Sequence, residues 1–327
     1  MDSPATMAAP RALFVGRSTF DILYRLDVLP VEDSKVFARE FYAAPGGPAL
    51  NAALTHALLG GHALLVSAVG GGKWAAALRE ELLRRGVELL DLADGTAYET
   101  PLSTTLLNAA TGSRTIVNPP ASLVRLPPLA AEWSNAVPAS WGAIPPVVLC
   151  DGFFLEEASA LLTACREAGA ALCLDGGSWK PGTAEIAPLL TVAICSERFA
   201  LPGQTETPGG DPESVMAWFA AQGVPCVAVT RGARSILGWE RGRGFEIEVA
   251  KIEATDTLGA GDVLHGAFCH FFAMTRDFEH SLRKASAIAT LSCQSLGIPT
   301  TFGGPPPVRP DGACAAPAVR PDAACAP

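Results

Sequence analysis

The chain has 327 residues, of which 49% are hydrophobic and 17% are charged, and its formal net charge is −9. An acidic chain is a poor partner for nucleic acid, because proteins bind nucleic acid largely by neutralising phosphates. The mean hydropathy of +0.27 does not indicate a membrane protein either, since no run of about 18 uncharged apolar residues is present. We therefore expect neither a nucleic acid nor a membrane as a partner.

The N-terminus, residues 1–11, precedes the first apolar strand pattern. It has an acid at position 2 and no apolar stretch of signal-peptide length. We therefore expect a flexible N-terminus and a cytoplasmic protein.

Short apolar runs alternate with helical patterns along most of the chain. Such runs without polar alternation are typical of parallel strands that are covered on both faces. The predicted strands lie at 12–16, 63–69, 147–151, 171–175, 191–195 and 225–230, and the predicted helices at about 48–59, 74–86, 156–169 and 213–222. The alternation predicts an α/β fold with a central, mostly parallel, doubly wound sheet and helices on both faces.

Two segments have a different pattern. Residues 35–43 and 98–118 are predicted to form antiparallel strands, with the turn of a hairpin at 110–113. A few strands inserted into an α/β chain predict a small β-sheet lid, and such flaps commonly close an active site. Lys35, Arg39 and Arg114 in these strands either grip a phosphate or are ordinary solvated charges.

The tail, residues 305–327, is rich in proline and alanine and contains an imperfect eleven-residue repeat, VRPDGACAAPA followed by VRPDAACAP. It has too few large apolar side chains to fold, so we expect it to be disordered.

A polar, glycine-rich turn precedes the apolar helix that begins near Asp262. Gly259, Ala260 and Gly261 have almost no side-chain bulk, so their amides can converge on a phosphoryl oxygen at the helix N-terminus. Asp262 could then accept a hydroxyl proton as the oxygen attacks phosphorus. The alternative is that Asp262 only caps the helix, which leaves Thr257 and the small residues unexplained.

Four motifs resemble those of one family. DTLGAGDVLHGAF (256–268) resembles the D-T-x-G-A-G-D signature of the ribokinase, or PfkB-type, carbohydrate kinases, and PGGPALNAALTHALLGG (45–61) is similar to their G-G-x-x-x-N segment. VTRG (229–232) resembles the T-x-G element of the nucleotide loop, and CSERFA (195–200) resembles the N-E motif. The resemblance covers about residues 12–302 in the family's order.

The resemblance implies a ribokinase-like kinase domain over 12–304 that transfers the γ-phosphate of ATP to a hydroxyl of a small carbohydrate. It implies ATP and Mg²⁺ as cofactors, leaves a monovalent cation (K⁺) open, and suggests a homodimer through the β lid. The implied roles are Asp262 as general base; Gly259, Ala260 and Gly261 as anion hole; Asp21, Gly46, Gly47 and Asn51 as sugar contacts; Ser196, Thr230 and Gly232 as nucleotide contacts; and Glu197 as a magnesium contact through water. Asp21 is expected after the first buried strand, at its carboxyl end.

The sequence departs from the family pattern at two nucleotide motifs. Ser196 replaces the asparagine of N-E, and Ser235 stands where the nucleotide loop would have its second glycine. The run at 29–47 is closer to the ketohexose and sulfosugar kinases than to the nucleoside kinases, but the sequence does not name the acceptor.

Two rival functions remain open. The weakened nucleotide motifs would also suit a catalytically silent sugar- or nucleotide-binding protein of the same fold. GGGKWA (70–75) matches G-x-G-x-x-A after a predicted strand, with Glu88 and Asp91 near the expected offset, as in a dinucleotide-dependent oxidoreductase.

Overall fold

The structure is a computed structural model that describes residues 8–119, 126, 141–204 and 211–295. Residues 1–7 and the tail at 305–327 lie outside these ranges, as does the predicted domain end at 304. The flexible N-terminus and the disordered tail therefore stay predictions.

Thirteen strands are found in the described ranges. In chain order they are β1 (Arg11–Val15), β2 (Thr19–Leu26), β3 (Glu40–Gly46), β4 (His62–Ser67), β5 (Val87–Asp91), β6 (Leu102–Asn108), β7 (Arg114–Val117), β8 (Val147–Cys150), β9 (Ala171–Gly176), β10 (Val192–Ser196), β11 (Cys226–Arg231), β12 (Arg234–Glu240) and β13 (Arg243–Ile247). The helices are α1 (Pro48–Leu58), α2 (Gly72–Arg84), α3 (Leu155–Glu167), α4 (Thr183–Ile186), α5 (Pro212–Ala221), α6 (Ala260–Thr275) and α7 (Phe278–Ser292). None of the helices in the described part is long and apolar enough to cross a membrane.

Nine strands form one large sheet in the order β13-β12-β11-β10-β9-β8-β1-β4-β5. The strands from β11 to β5 pair in parallel, and β12 and β13 add an antiparallel hairpin at one edge. The predicted mostly parallel sheet is confirmed.

Helices cover both faces of this sheet. In β1, Phe14 packs on one face with residues of α1, α6 and α7, whereas Leu13 and Val15 pack on the other with residues of α3 and α5. All three side chains are fully buried. Burial on both faces explains why β1 is a continuous apolar run rather than an alternating one.

Four strands form a separate small sheet, the lid sheet, in the order β3-β2-β6-β7. The turn predicted at 110–113 does join β6 to β7. The first lid segment is shifted from its prediction, however: residues 35–39 are not in a strand, and β3 begins at Glu40. The strand pattern at 35–39 comes from Val36 and Phe37, whose side chains are exposed.

Candidate active site

The candidate site lies at the carboxyl edge of the large sheet. On one side β1 pairs with β4, which is the next strand of the large sheet along the chain, and on the other side it pairs with β8. The sheet order therefore reverses between β1 and β8. Open α/β sheets bind ligands in the crevice at such a reversal, outside the carboxyl ends of the strands.

Asp151, directly after β8, holds this edge together. Its carboxylate accepts hydrogen bonds from the backbone amides of Arg17 (2.8 Å), Phe153 (2.9 Å) and Ala49 (3.1 Å). One buried side chain thus joins the loops after β1 and β8 to the first turn of α1. Burial raises the pKa of Asp151 to about 7, and the three amides oppose the rise. No role for Asp151 was predicted, although an acid directly after a buried strand is a signal that could have identified it.

The structure brings the predicted sugar contacts together beside α1. Asp21 lies within β2, one strand beyond its predicted place at the end of β1, and it accepts a hydrogen bond from the Thr19 hydroxyl at 2.6 Å. A β-carbon on Gly46 would lie 2.0 Å from Asp21 Oδ2. Gly47 has a φ of 99°, and a β-carbon there would lie 2.5 Å from the carbonyl oxygen of Arg17. Gly46 is therefore needed for the end of β3 to approach Asp21, and Gly47 for the start of α1 to approach the loop after β1.

Asn51 joins these residues to Asp262. Its amide Nδ2 donates a hydrogen bond to Asp262 Oδ2 at 2.7 Å. Desolvation is the main cause that raises the pKa of Asp262 to about 7; the nearby Asp175 carboxylate adds to the rise, and the Asn51 hydrogen bond opposes it. The cap of α6 is Gly259, with no capping hydrogen bond from a side chain. Asp262 is therefore not the helix cap, and its pKa suits a group that takes up a proton near neutral pH.

Close packing of α1 on α6 sets the distance between Asn51 and Asp262. A β-carbon on Gly266 of α6 would lie 2.3 Å from the carbonyl oxygen of Ala52 and 2.8 Å from Thr55 Cβ. A side chain at this position could be accommodated only if the backbone of one of the two helices moved.

We expect Gly266→Ala to lower the free energy of unfolding by about 1–3 kcal/mol, because an extra methyl group in a packed contact forces a backbone shift. Urea unfolding would measure the change. Gly261→Ala is the matched control, since a β-carbon at Gly261 has no neighbour within 4 Å among the described residues. Equal stabilities of the two variants would contradict the expectation.

The predicted anion hole lies at the start of α6. Gly259 has a φ of 72°, a left-handed conformation that favours glycine. Ala260 and Gly261 form the first turn, where backbone amides have no acceptor within the helix. The Ala260 amide donates a long hydrogen bond to the carbonyl oxygen of Thr257 at 3.4 Å. The first turn places backbone amides beside Asp262, where an anion could compete for them.

The predicted nucleotide contacts gather at the ends of β10 and β11. Ser196 and Thr230 are partners across these strands, and the Glu197 amide donates to the Thr230 carbonyl at 2.9 Å. Gly232 follows β11 with a φ of 63°. The Glu197 carboxylate forms an ion pair with Arg234 of β12. This pairing was not predicted, because Arg234 comes from a strand that the sequence pattern did not reveal.

Arg114 links the lid sheet to the loop that leads into the predicted anion hole. Arg114 of β7 donates a hydrogen bond to the Thr257 hydroxyl at 3.0 Å. The other two predicted lid cations do not reach the site: Lys35 is exposed, and Arg39 pairs with Asp27.

The dinucleotide-binding alternative is not favoured, because Asp91 has a different task. Its carboxylate accepts hydrogen bonds from the backbone amides of Val69, Gly70 and Ala93, and it pairs with Arg79 of α2. The Asp91 carboxylate therefore fixes the backbone of the glycine loop. With these partners it is not available to hydrogen-bond a ribose.

Known proteins share the sequence pattern and the fold of this chain. Residues 11–301 match the family described as pfkB family carbohydrate kinase. The chain is 24% identical to the ribokinase of Bacillus subtilis over 283 residues, which are 86% of this chain and 92% of that protein. The fold is shared with the ribokinase of Arabidopsis thaliana solved with ribose and ATP (TM-score 0.69, 22% identity, 90% of this chain and 95% of that one). It is also shared with an E. coli protein solved with ATP and Mg²⁺ (TM-score 0.69, 17% identity, 89% and 94%). Since the family match spans nearly the whole described chain, the protein belongs to the pfkB family of carbohydrate kinases, which are phosphotransferases with an alcohol group as acceptor.

Proposed function

We propose that this protein transfers the γ-phosphate of ATP to a hydroxyl of a small carbohydrate such as a ketohexose or a pentose. One observation carries the proposal. Asp262, with its raised pKa, lies at the amide-rich start of α6, and Asn51 joins it to α1, which follows the glycine that packs on Asp21. A proton acceptor, an anion hole and a sugar-binding carboxylate thus share one crevice.

In the transfer step, Asp262 takes the proton of the acceptor hydroxyl as its oxygen forms a bond to the γ-phosphorus. The bond between the γ-phosphorus and the oxygen that bridges it to the β-phosphate breaks, and ADP leaves. The backbone amides of Gly259, Ala260 and Gly261 stabilise the negative charge on the phosphoryl oxygens. Asp21 and the backbone of Gly46 and Gly47, together with Asn51, orient the sugar.

The nucleotide would lie against Ser196, Thr230 and Gly232. No group of three or more His, Cys, Asp or Glu side chains in the described ranges is placed to hold a metal. Magnesium at such sites uses one or two carboxylates together with substrate phosphates. Glu197 would contact, through water, a Mg²⁺ that arrives with ATP, and its ion pair with Arg234 would have to leave one carboxylate oxygen for that contact. When bound, Mg²⁺ neutralises part of the phosphate charge.

The binding of a monovalent cation and a cytoplasmic location are also part of the proposal. The C-terminal segment that would contribute to a K⁺ site extends through 296–304, outside the described residues. An ATP-consuming sugar kinase would work in the cytoplasm, where its nucleotide is available.

A screen for ADP release over pentoses, ketohexoses, their phosphates and nucleosides tests the function. We expect turnover with at least one sugar and none with the nucleosides. The silent-binder alternative predicts that sugars bind in calorimetry while no ADP is released with any of them. That result would overturn the proposed function.

The raised pKa of Asp262 predicts a pH dependence. The base form is the deprotonated carboxylate, so kcat/KM should rise with pH through about 7 and level off above it. The measurement is a pH profile with a neutral sugar, accompanied by calorimetric ATP affinities to separate the titration of the nucleotide. A profile that stays flat from about pH 5 to 9 would contradict a base with a pKa in the middle of that range.

We also propose a homodimer through the lid sheet. The segment before and within β3 exposes Val31, Val36, Phe37 and Phe41, with Phe37 88% exposed. A group of exposed large apolar side chains is typical of a protein–protein contact. We expect Phe37→Asp to convert a dimer to a monomer in light scattering, whereas Leu83→Asp on α2, at a residue 82% exposed, should not. A wild-type monomer would contradict the proposal.

A further inference from the structure

His265 and Asp175 form a buried pair next to Asp262. His265 lies in α6 one turn after Asp262, and Asp175 lies at the end of β9; they are 4% and 7% exposed. His265 Nδ1 is 3.3 Å from Asp175 Oδ2. The transfer step described above uses neither residue.

Both ring nitrogens of His265 face oxygens that can only accept hydrogen bonds. Nδ1 is 2.7 Å from the carbonyl oxygen of Gly261, and Nε2 is 3.1 Å from the carbonyl oxygen of Ile194. A neutral imidazole has a single N–H, so it would turn a lone pair toward one of these carbonyls. An imidazolium donates at both positions. Because a buried charge needs a partner, the Asp175 carboxylate completes the arrangement.

These hydrogen bonds connect the two halves of the candidate site. The Gly261 carbonyl belongs to the same planar peptide as the Asp262 amide, so holding the oxygen fixes the direction of that N–H. Ile194 lies in β10, two residues before Ser196. His265 therefore ties the first turn of α6 to the strand that carries the nucleotide contacts.

We propose that His265, held by Asp175, is a positioning residue for phosphoryl transfer, which orients the Gly261–Asp262 peptide and fixes it relative to β10. The proposal rests on the proposed function, in which Asp262 is the general base. His265 acts through Asp262 and the anion hole and does not touch the reacting atoms.

The effects of His265 and Asp175 on Asp262 can be distinguished, because the two residues shift the pKa of Asp262 in opposite directions. Asp262 faces the carboxylates of Asp175 and Asp21, which raise its pKa, and His265, which lowers it. Burial is the main cause that raises the pKa of Asp175, and the nearby charges of His265 and Lys180 oppose the rise. The Asp175 charge in turn raises the pKa of Asp151. Removing the positive charge of His265 and removing the negative charge of Asp175 should therefore move the titration of Asp262 in opposite directions.

The experiment compares His265→Gln and Asp175→Asn, with His280→Gln on the exposed surface of α7 as control. We expect His265→Gln to lower kcat by about 10- to 100-fold, since small misplacements of reacting groups have effects of that size. The KM values for sugar and ATP should stay within about threefold, a change of under 1 kcal/mol. The acidic limb of the kcat–pH profile should move up by about one unit in His265→Gln and down by a similar amount in Asp175→Asn. If the pair only supports the fold, both substitutions would lower the melting temperature and leave the acidic limb of each variant's profile at its wild-type position. That result would overturn the proposal.

A second measurement needs no turnover and no variant that folds well. In ¹⁵N-histidine-labelled wild-type protein, both ring nitrogens of His265 should carry a hydrogen, because each of them faces a carbonyl oxygen. The signals are assigned by their loss in His265→Gln or, if that variant does not fold, by their shift in Asp175→Asn. A neutral pattern in an active enzyme would overturn the positioning role alone. Absence of phosphorylation with every acceptor would overturn the proposed function, and the positioning role with it.

Discussion

Replacing Asp262 by asparagine is expected to lower kcat by about 10²–10⁴-fold, the range that general-base catalysis contributes. Asparagine keeps the size of the side chain and can still hydrogen-bond to Asn51, but it cannot take the proton of the acceptor hydroxyl. Affinities for sugar and ATP should therefore change little. The measurement combines the phosphorylation rate with calorimetry on both proteins.

Asp277→Asn provides the matched control. Asp277 caps α7, and its carboxylate accepts a hydrogen bond from the His280 amide at 2.9 Å. Asparagine caps a helix about as well as aspartate, so this variant should keep its stability and its rate. If Asp262→Asn were equally harmless, Asp262 would have only a structural role, and the mechanism would be wrong.

Asp21→Ala is expected to raise the KM for the sugar by about 10- to 100-fold while ATP affinity stays nearly constant. A hydrogen bond to a charged group is worth about 1.5–3 kcal/mol, and the lost carboxylate leaves a sugar hydroxyl without its acceptor. Steady-state kinetics with each substrate varied in turn would separate the two effects.

Asp27→Ala is the control on the same part of the chain, because Asp27 follows β2 and its side chain is 61% exposed in an ion pair with Arg39. This variant should have the sugar KM of the wild type. A fall in ATP affinity in Asp21→Ala, with an unchanged sugar KM, would show that Asp21 does not contact the sugar.

The large sheet could be predicted from sequence wherever a strand is covered on both faces, because its side chains are then apolar without interruption. β1 and β8 are examples, with residues 12–15 and 147–150 buried throughout. β12 was not predicted, since it lies near the sheet edge and mixes exposed with buried positions. The shifted lid strand has another cause. Val36 and Phe37 have strand-forming side chains, yet they are exposed, and the sequence pattern does not tell an apolar surface from an apolar core.

The site was predictable where its chemistry is local in sequence. The glycine turn and Asp262 lie within four residues, so the resemblance to a known motif was enough to predict roles for them. Contacts between distant segments could not be predicted, because residue spacing does not give the order of strands in a sheet. Examples are the Ile194–His265 hydrogen bond, between residues 71 positions apart, and the hydrogen bonds that converge on Asp151. Arg234 was missed because β12, the strand that carries it, was not predicted.

The hydrogen bond from Arg114 to Thr257 would couple the binding of the two proposed substrates, the sugar and ATP. It joins the lid sheet to the loop that leads into the anion hole, so a motion of the lid sheet must break this bond or move the loop. A net hydrogen bond of about 1 kcal/mol corresponds to about a fivefold change in an equilibrium constant. If the sugar holds the lid in place, the bond makes ATP binding more favourable, and thermodynamic linkage then requires ATP to tighten sugar binding by the same factor. The affinity of each ligand, measured with and without a non-reacting analogue of the other, should therefore show equal enhancements that disappear together in Arg114→Met.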